Sequence, residues 1–110
     1  ELEKAFDTLQ ICPPRPTQSA LAWAIPATRG WRGGNRALMA RRAAFFRAAM
    51  ARAPGWRLDA IGTYFAYLRL PNAAPDAMEA AERLAAERGL MSLPGPFFGP
   101  GQGRHLRLAF

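Results

Sequence analysis

The chain has 110 residues, half of them apolar, and a formal charge of +7 that results from 15 Lys and Arg against 8 Asp and Glu. This length suits one compact domain or a large part of one. Lys4 is the only lysine, so the positive charge is almost entirely arginine, a bias as typical of a high-GC genome as of a nucleic-acid ligand. The single cysteine, Cys12, excludes an internal disulfide and favours a reducing compartment.

Neither a membrane span nor a secretion signal is predicted. The sequence has no run of about 18 apolar residues and no charged segment that leads into an apolar one. We therefore expect a cytoplasmic protein without a membrane partner.

The first 29 residues are predicted to be the end of a helix followed by a proline-rich linker. Apolar residues at helical spacing begin the chain without a capping residue, as expected for a fragment that starts within a longer helix. The segment "ICPPRPTQ" ends that helix, because proline removes donors and favours extended backbone. Thr17 is predicted to cap a helix from Gln18 to Ile25 that Pro26 ends. The glycine-rich "ATRGWRGGN" then predicts a flexible joint, and we place a domain boundary near residue 30.

A long helix is predicted from about Asn35 to Ala53. Its apolar residues fall on one stripe, which indicates a core-facing side. Its arginines are distributed around the axis, so they form no single basic face. The stripe consists of Met39, Ala43, Phe46, Met50 and Ala53.

The remaining residues alternate strands with one further helix. Strands are predicted near 57–61, 64–70, 90–93 and 105–110. Asp76 and Glu79 form a plausible capping box for a helix that ends at Gly89, with Glu79 and Arg83 as a supporting pair. The order predicts a two-layer α/β domain over residues 30–110, in which helices cover a short mixed or antiparallel sheet.

The common catalytic motifs are missing from the sequence. It has no GxGxxG, no phosphate-binding loop and no paired histidines or cysteines with metal-ligand spacing, so no metal site is expected. His105 is the only histidine, and we expect it at a surface position of a strand. Cys12 has no base near it in sequence and is expected to be an inert thiol.

Arg107 is the residue of the last strand that requires an explanation. In "RHLRLAF" the apolar residues Leu106, Leu108 and Phe110 point to one face, so Arg107 points to the other. A guanidinium stays protonated, so it must face water, pair with a carboxylate of its own chain or hold an anionic ligand. The pattern of this strand alone leaves all three alternatives open.

Nearly the whole chain resembles the C-terminal part of the fold-type I pyridoxal-phosphate aminotransferases, the aspartate aminotransferase-like group. The segments that carry the resemblance occur in the same order and spacing. The most specific are "G-x-Y-F" at Gly62 to Phe65, "L-P-G-x-x-F-G" at Leu93 to Gly99, and the closing "L-R-L-A-F". The resemblance implies that the chain is the small C-terminal domain of such an enzyme, preceded by a short linker at residues 1–29.

The resemblance also implies the roles of particular residues. The arginine of the closing strand, here Arg107, holds the α-carboxylate of the amino-acid substrate through a two-pronged salt bridge. Tyr64 lies where the family places an aromatic residue near the substrate side chain, although a strand aromatic is more often part of the core. Phe98, or its neighbour Phe97, is a further candidate for the wall of the same pocket.

The cofactor chemistry of that family requires groups that this chain does not supply. Pyridoxal phosphate needs a Schiff-base lysine, an aspartate for the pyridine nitrogen and residues that hold the phosphate, all in an N-terminal large domain. Lys4 lacks the "S-x-x-K" setting of that lysine. The resemblance therefore implies a homodimeric parent that acts on amino acids and 2-oxo acids, while this polypeptide alone binds no cofactor, contributes no catalytic residue and is inactive.

Three alternatives to an aminotransferase remain. The positive charge and scattered aromatic residues suit a basic nucleic-acid-binding module, but the spread of the helix arginines disfavours it. Lyases and decarboxylases that use pyridoxal phosphate share the same fold. A structural domain without a ligand is the third alternative, and no residue indicates which amino acid a parent enzyme would use.

Overall fold

A computed structural model describes residues 2, 4, 5 and 14–110 of the chain. The chain divides into two compact units, Glu1–Arg36 and Ala37–Phe110. Leu2, Lys4 and Ala5 are helical, whereas the rest of the first predicted helix and the segment around Cys12 lie outside the described residues. The boundary near residue 30 stays a prediction.

Helix α1 covers Arg15–Ala27 and differs from the helix predicted at this position. It begins directly after Pro14, and Pro16 lies in its first turn, where a missing N–H costs no helical hydrogen bond. Thr17 lies within this first turn and is not the cap. Pro26 lies inside the helix instead of ending it, and the helix ends at Thr28, whose backbone N–H and hydroxyl both donate to the carbonyl of Ala24.

Helix α2 covers Arg29–Met50 and includes the glycine-rich segment that was predicted to be a joint. That prediction was wrong because glycine lowers helix stability by only about 1 kcal/mol per residue, and neither a proline nor a left-handed residue interrupts this segment. The predicted apolar stripe is confirmed as the less exposed side of the helix from Met39 to Met50. The predicted helix end at Ala53 was wrong, because the helix ends at Met50 and Ala53 lies in the turn that follows. Within the second unit, Phe46 and Met50 pack against the sheet.

The sheet has four antiparallel strands in the order β1-β2-β4-β3. Four strands were predicted, and three of them agree with the structure to within a residue at each end. The third was predicted at 90–93 but pairs only at Leu93 and Pro94, because the backbone N–H of Leu90 donates to Leu84 and closes the preceding helix instead. The strands are β1 Arg57–Gly62, β2 Phe65–Arg69, β3 Leu93–Pro94 and β4 His105–Ala109.

Helix α3 covers Ala77–Arg88 and has the termini that its sequence predicts. The Asp76 carboxylate accepts hydrogen bonds from the backbone N–H groups of Met78 at 2.9 Å and Glu79 at 3.1 Å. Gly89 ends the helix in the left-handed conformation, with φ of 63°. The predicted pairing of Arg83 was wrong: its guanidinium pairs with Glu87, four residues on, at 3.2 Å.

The core of the second unit lies between one face of the sheet and the helices. Trp56 contacts both of its buried clusters, one against α3 and one against the end of α2. The domain is therefore a small α/β structure with an antiparallel sheet, as predicted at that level. The buried apolar residues are Ala66, Leu68, Leu70, Ala77, Ala80, Ala81, Leu106 and Leu108. Within the described residues, no helix combines the length and the apolar character that a membrane crossing requires.

Candidate functional site

The sheet face opposite the core carries aromatic and charged side chains in register. Tyr67 of β2 is paired with Arg107 of β4, and Arg69 is paired with His105. Their strand neighbours Leu106 and Leu108 are almost completely buried on the other face. The strand pattern predicts this division of the two faces, and the structure confirms it.

Two aromatic rings lie against the Arg107 guanidinium. Its central carbon is 4.3 Å from the ring centroid of Phe65 and 4.4 Å from that of Phe98. The Nε atom is buried and has no hydrogen-bond partner. Among the described residues, none offers a carboxylate to this guanidinium. Of the three alternatives that the sequence leaves open, pairing with an acid of its own chain is therefore excluded within that part of the molecule.

Asp59, an acid on strand β1, pairs with other residues. Its carboxylate pairs with Arg57, with Arg69 at 3.1 Å and with Nε2 of His105 at 3.0 Å. The hydrogen bond from Arg57 is the largest cause that holds the pKa of this carboxyl well below its usual range, and the bonds from His105 and Arg69 lower it further. One carboxylate thus pairs with Arg57, Arg69 and His105 but not with Arg107.

His105 is buried, so its prediction as a surface residue was wrong. Its ring stacks on Tyr67 at 4.9 Å with an interplanar angle of 5°. Its Nε2 atom is hydrogen-bonded to Asp59, whereas its Nδ1 atom is buried without a hydrogen-bond partner. Burial also raises the pKa of the Tyr67 hydroxyl, which lies 2.9 Å from Oε1 of Gln102. The sequence gives no signal for this network, because Asp59 and His105 are 46 residues apart.

A cleft of about 140 Å³, here named the Arg107 cleft, opens on one side of this arginine. Ser92 lines it, and the Ser92 hydroxyl, like Nε of Arg107 and Nδ1 of His105, is buried without a hydrogen-bond partner. Ser92 was not among the predicted site residues, although a single hydroxyl within the apolar "LMSLP" was a visible signal. The lining residues are Phe65, Met91, Ser92, Leu93, Arg107 and Ala109.

The other aromatic candidates occupy different positions. Phe98 covers the guanidinium and contacts Tyr67 edge-on at 6.3 Å, whereas Phe97 beside it is 64% exposed. Tyr64 lies in the turn between β1 and β2 and not in the strand that was predicted to contain it. Its ring is 4.3 Å from that of Phe65, and it is not among the residues that line the Arg107 cleft.

A short loop positions Phe98 over Arg107. A 3₁₀ turn, Gly95–Phe98, follows β3 directly. A Cβ atom at Gly95 would lie 2.1 Å from the backbone oxygen of Gln102, so only glycine permits this close approach. The loop then returns through Gln102, whose side-chain oxygen accepts a hydrogen bond from the Tyr67 hydroxyl. The loop is thereby connected to the network of Tyr67, His105 and Asp59.

The described residues do not fit pyridoxal phosphate. The Arg107 cleft, of about 140 Å³, is lined by one cation and one hydroxyl but by no lysine for a Schiff base and no aspartate for the pyridine nitrogen. The only lysine, Lys4, belongs to the other compact unit. Among the residues that the structure describes, no cluster of three His, Cys, Asp or Glu could hold a metal ion.

Comparisons with known proteins identify no relative: no protein-family model, no curated protein and no solved structure matches this chain.

Proposed function

We propose that this chain is the small C-terminal domain of a cytoplasmic, homodimeric pyridoxal-phosphate aminotransferase of fold type I. In this proposal Arg107 binds the α-carboxylate of an amino acid or a 2-oxo acid. The resemblance of three motifs supports the family assignment, and the surroundings of Arg107 support the role of this residue. The cofactor, its Schiff-base lysine and the large domain belong to the parent enzyme, and no step of the reaction is assigned to this chain.

The observation that carries the proposal is the partly buried Arg107 guanidinium, which has no carboxylate from the described residues. Burying part of a cation without an anion costs free energy, and stacking on Phe65 and Phe98 offsets only part of that cost. A ligand carboxylate would complete the site through two parallel charge-assisted hydrogen bonds. The same pair of bonds fixes the orientation of the ligand, which is what a positioning group contributes to catalysis.

The direct test is an activity assay on the complete product of the open reading frame that contains this sequence. The protein is incubated with pyridoxal phosphate, an amino acid and a 2-oxo acid, and the new amino acid is quantified. We expect amino-group transfer. Release of carbon dioxide or ammonia without transfer would instead identify a decarboxylase or lyase of the same fold. An absence of all three products with every amino acid, together with tight oligonucleotide binding, would contradict the proposal and favour the nucleic-acid-binding module.

A further inference from the structure

The wall of the Arg107 cleft is apolar apart from two groups. Phe65, Met91, Leu93 and Ala109 supply apolar surface, and the Ser92 hydroxyl is buried. Arg107 is the only charged residue that lines the cleft. A ligand carboxylate at Arg107 would therefore have an apolar surface beside it, which disfavours a second charge on the ligand.

The other cations of the strands and of the β3–β4 loop already have hydrogen-bond partners. Arg57 and Arg69 pair with Asp59. Arg104 donates to the carbonyls of Ala74, at 2.8 Å, and Pro75, at 3.1 Å, and also to that of Pro71. The strands and the β3–β4 loop thus leave no second cation, among the described residues, to meet a second carboxylate of the same ligand.

The geometry of Arg107 restricts how an anion can approach it. The rings of Phe65 and Phe98 lie against the guanidinium, and its Nε atom is buried without a partner. The terminal nitrogens at the edge of the group are the donors left for a ligand. Two parallel N–H groups on that edge match one carboxylate.

The size of the cleft limits the substituent that can follow the carboxylate. A volume of about 140 Å³ corresponds to roughly four or five water-sized groups, which is enough for a carboxylate and a few carbon atoms. A short aliphatic chain fits this space, and its burial against Leu93 and Met91 is favourable.

We infer that this site selects monocarboxylates with a compact apolar substituent and discriminates against dicarboxylates. The inference rests on the proposed function, since it assigns the substrate class of the same carboxylate site. It predicts a parent enzyme that prefers small aliphatic amino acids to aspartate or glutamate.

The test is a binding titration of the full chain with acetate, propionate, butyrate and succinate, monitored by NMR at the Nε–H signal of Arg107. The Arg107→Lys variant assigns that signal. We expect each methylene from acetate to butyrate to tighten binding about two- to fourfold. Succinate has the carbon chain length of butyrate with a second carboxylate, and we expect it to bind at least about fivefold more weakly.

The outcomes separate this inference from the function on which it rests. If acetate shifts the Arg107 signal in a saturable way but succinate binds as tightly as butyrate or more tightly, the carboxylate site is supported and the proposed selectivity is refuted. If no carboxylate shifts the Arg107 signal, the carboxylate site itself is refuted, and the inference with it.

A charge-addition variant makes the selectivity test independent of absolute affinity. Leu93→Arg places a second cation beside Arg107, since these two residues are paired across β3 and β4. We expect it to reverse the order, so that succinate binds more tightly than butyrate. Met78→Arg adds the same charge at an exposed position of α3 and should leave the order unchanged. Equal responses of the two variants would mean that overall charge, not the cleft, sets the preference.

Discussion

The Arg107 guanidinium contacts two aromatic rings, and its Nε atom has no hydrogen-bond partner. A guanidinium over an aromatic face gains about 0.5–2 kcal/mol, more when it is desolvated. Phe65 is fixed within β2, whereas Phe98 lies in the loop after β3, is 44% exposed and contacts Tyr67 only edge-on. Phe98 is therefore the contact that can be removed with the least damage to the core.

Phe98→Ala should weaken carboxylate binding at Arg107 about two- to fivefold, because one face of the guanidinium becomes hydrated and less fixed in orientation. Phe97→Ala is the matched control, since that ring is more exposed and does not cover Arg107. The NMR titration with butyrate measures both variants. Equal affinities for Phe98→Ala and the wild type would exclude a role of Phe98 in the site.

Asp59 makes the stability of the folded domain depend on pH. Its carboxyl has a pKa far below the usual value in the folded chain, chiefly because of Arg57, so the ionised form contributes stability at neutral pH. That contribution is complete above the unfolded pKa of about 3.9 and is lost as the pH falls further. We expect the urea midpoint of the wild type to decrease steeply below about pH 4.

Asp59→Asn removes the ionisation and should flatten this part of the curve while lowering stability at pH 7. Glu82→Gln, at an exposed position of α3, serves as the control and should retain the acid-induced decrease. An Asp59→Asn variant that loses stability on acidification as steeply as the wild type would show that other carboxyl groups cause the effect.

The sequence predicts only some of these residue environments. The position of Arg107 on the polar face follows from strand alternation, and its candidacy as an anion site follows from its permanent charge. The burial of His105 depends on Asp59, which lies at an irregularity in the pairing of β1 with β2. Local patterns cannot predict such a contact between residues distant in sequence.

The loop between β3 and β4 determines the geometry of the site at the scale of elements. Its 3₁₀ turn begins at Gly95, where the backbone oxygens of Gln102 and His105 approach too closely for any side chain. Phe98 reaches Arg107 only because the chain turns at this point. The loop residues Pro94 and Gly95 are buried, as a fixed connection requires.

Gly95→Ala should destabilise the domain by about 1–3 kcal/mol, as expected when an atom is forced into packed surroundings. It should also displace Phe98 and weaken butyrate binding. Gly103→Ala is the control within the same loop, because a Cβ atom there has no neighbour within 4 Å. Chemical denaturation and the NMR titration provide the two readouts. Equal stability of the two variants would contradict the close approach described at Gly95.

The helix boundaries show which sequence patterns predict the end of a helix and which do not. Helix α3 has a capping aspartate and a terminal glycine, and both act as the sequence predicts. The prediction of a joint before α2 was wrong because several glycines weaken a helix without ending it. Pro26 failed as a stop signal because, near the end of α1, it removes few hydrogen bonds.

At the scale of the whole molecule, the positive charge is concentrated in one part of the sequence. Residues 8–58 contain nine arginines and no Asp or Glu. This stretch attracts anions of every kind, increasingly so at low salt. A diffuse attraction of this type favours a dianion over a monoanion, the reverse of the order expected at the Arg107 cleft.

The central claim is that Arg107 binds the substrate carboxylate, and its most direct test is the kcat/KM of the Arg107→Lys variant of the complete gene product. Lysine retains the charge but lacks the planar fork, so we expect kcat/KM for transamination to decrease about 30- to 900-fold with little change in folding. Arg69→Lys is the matched control on the same sheet face, because that guanidinium is paired with Asp59, and it should remain within about threefold of the wild type. An Arg107→Lys variant that retains the wild-type kcat/KM, or a loss of the same size in Arg69→Lys, would contradict the claim.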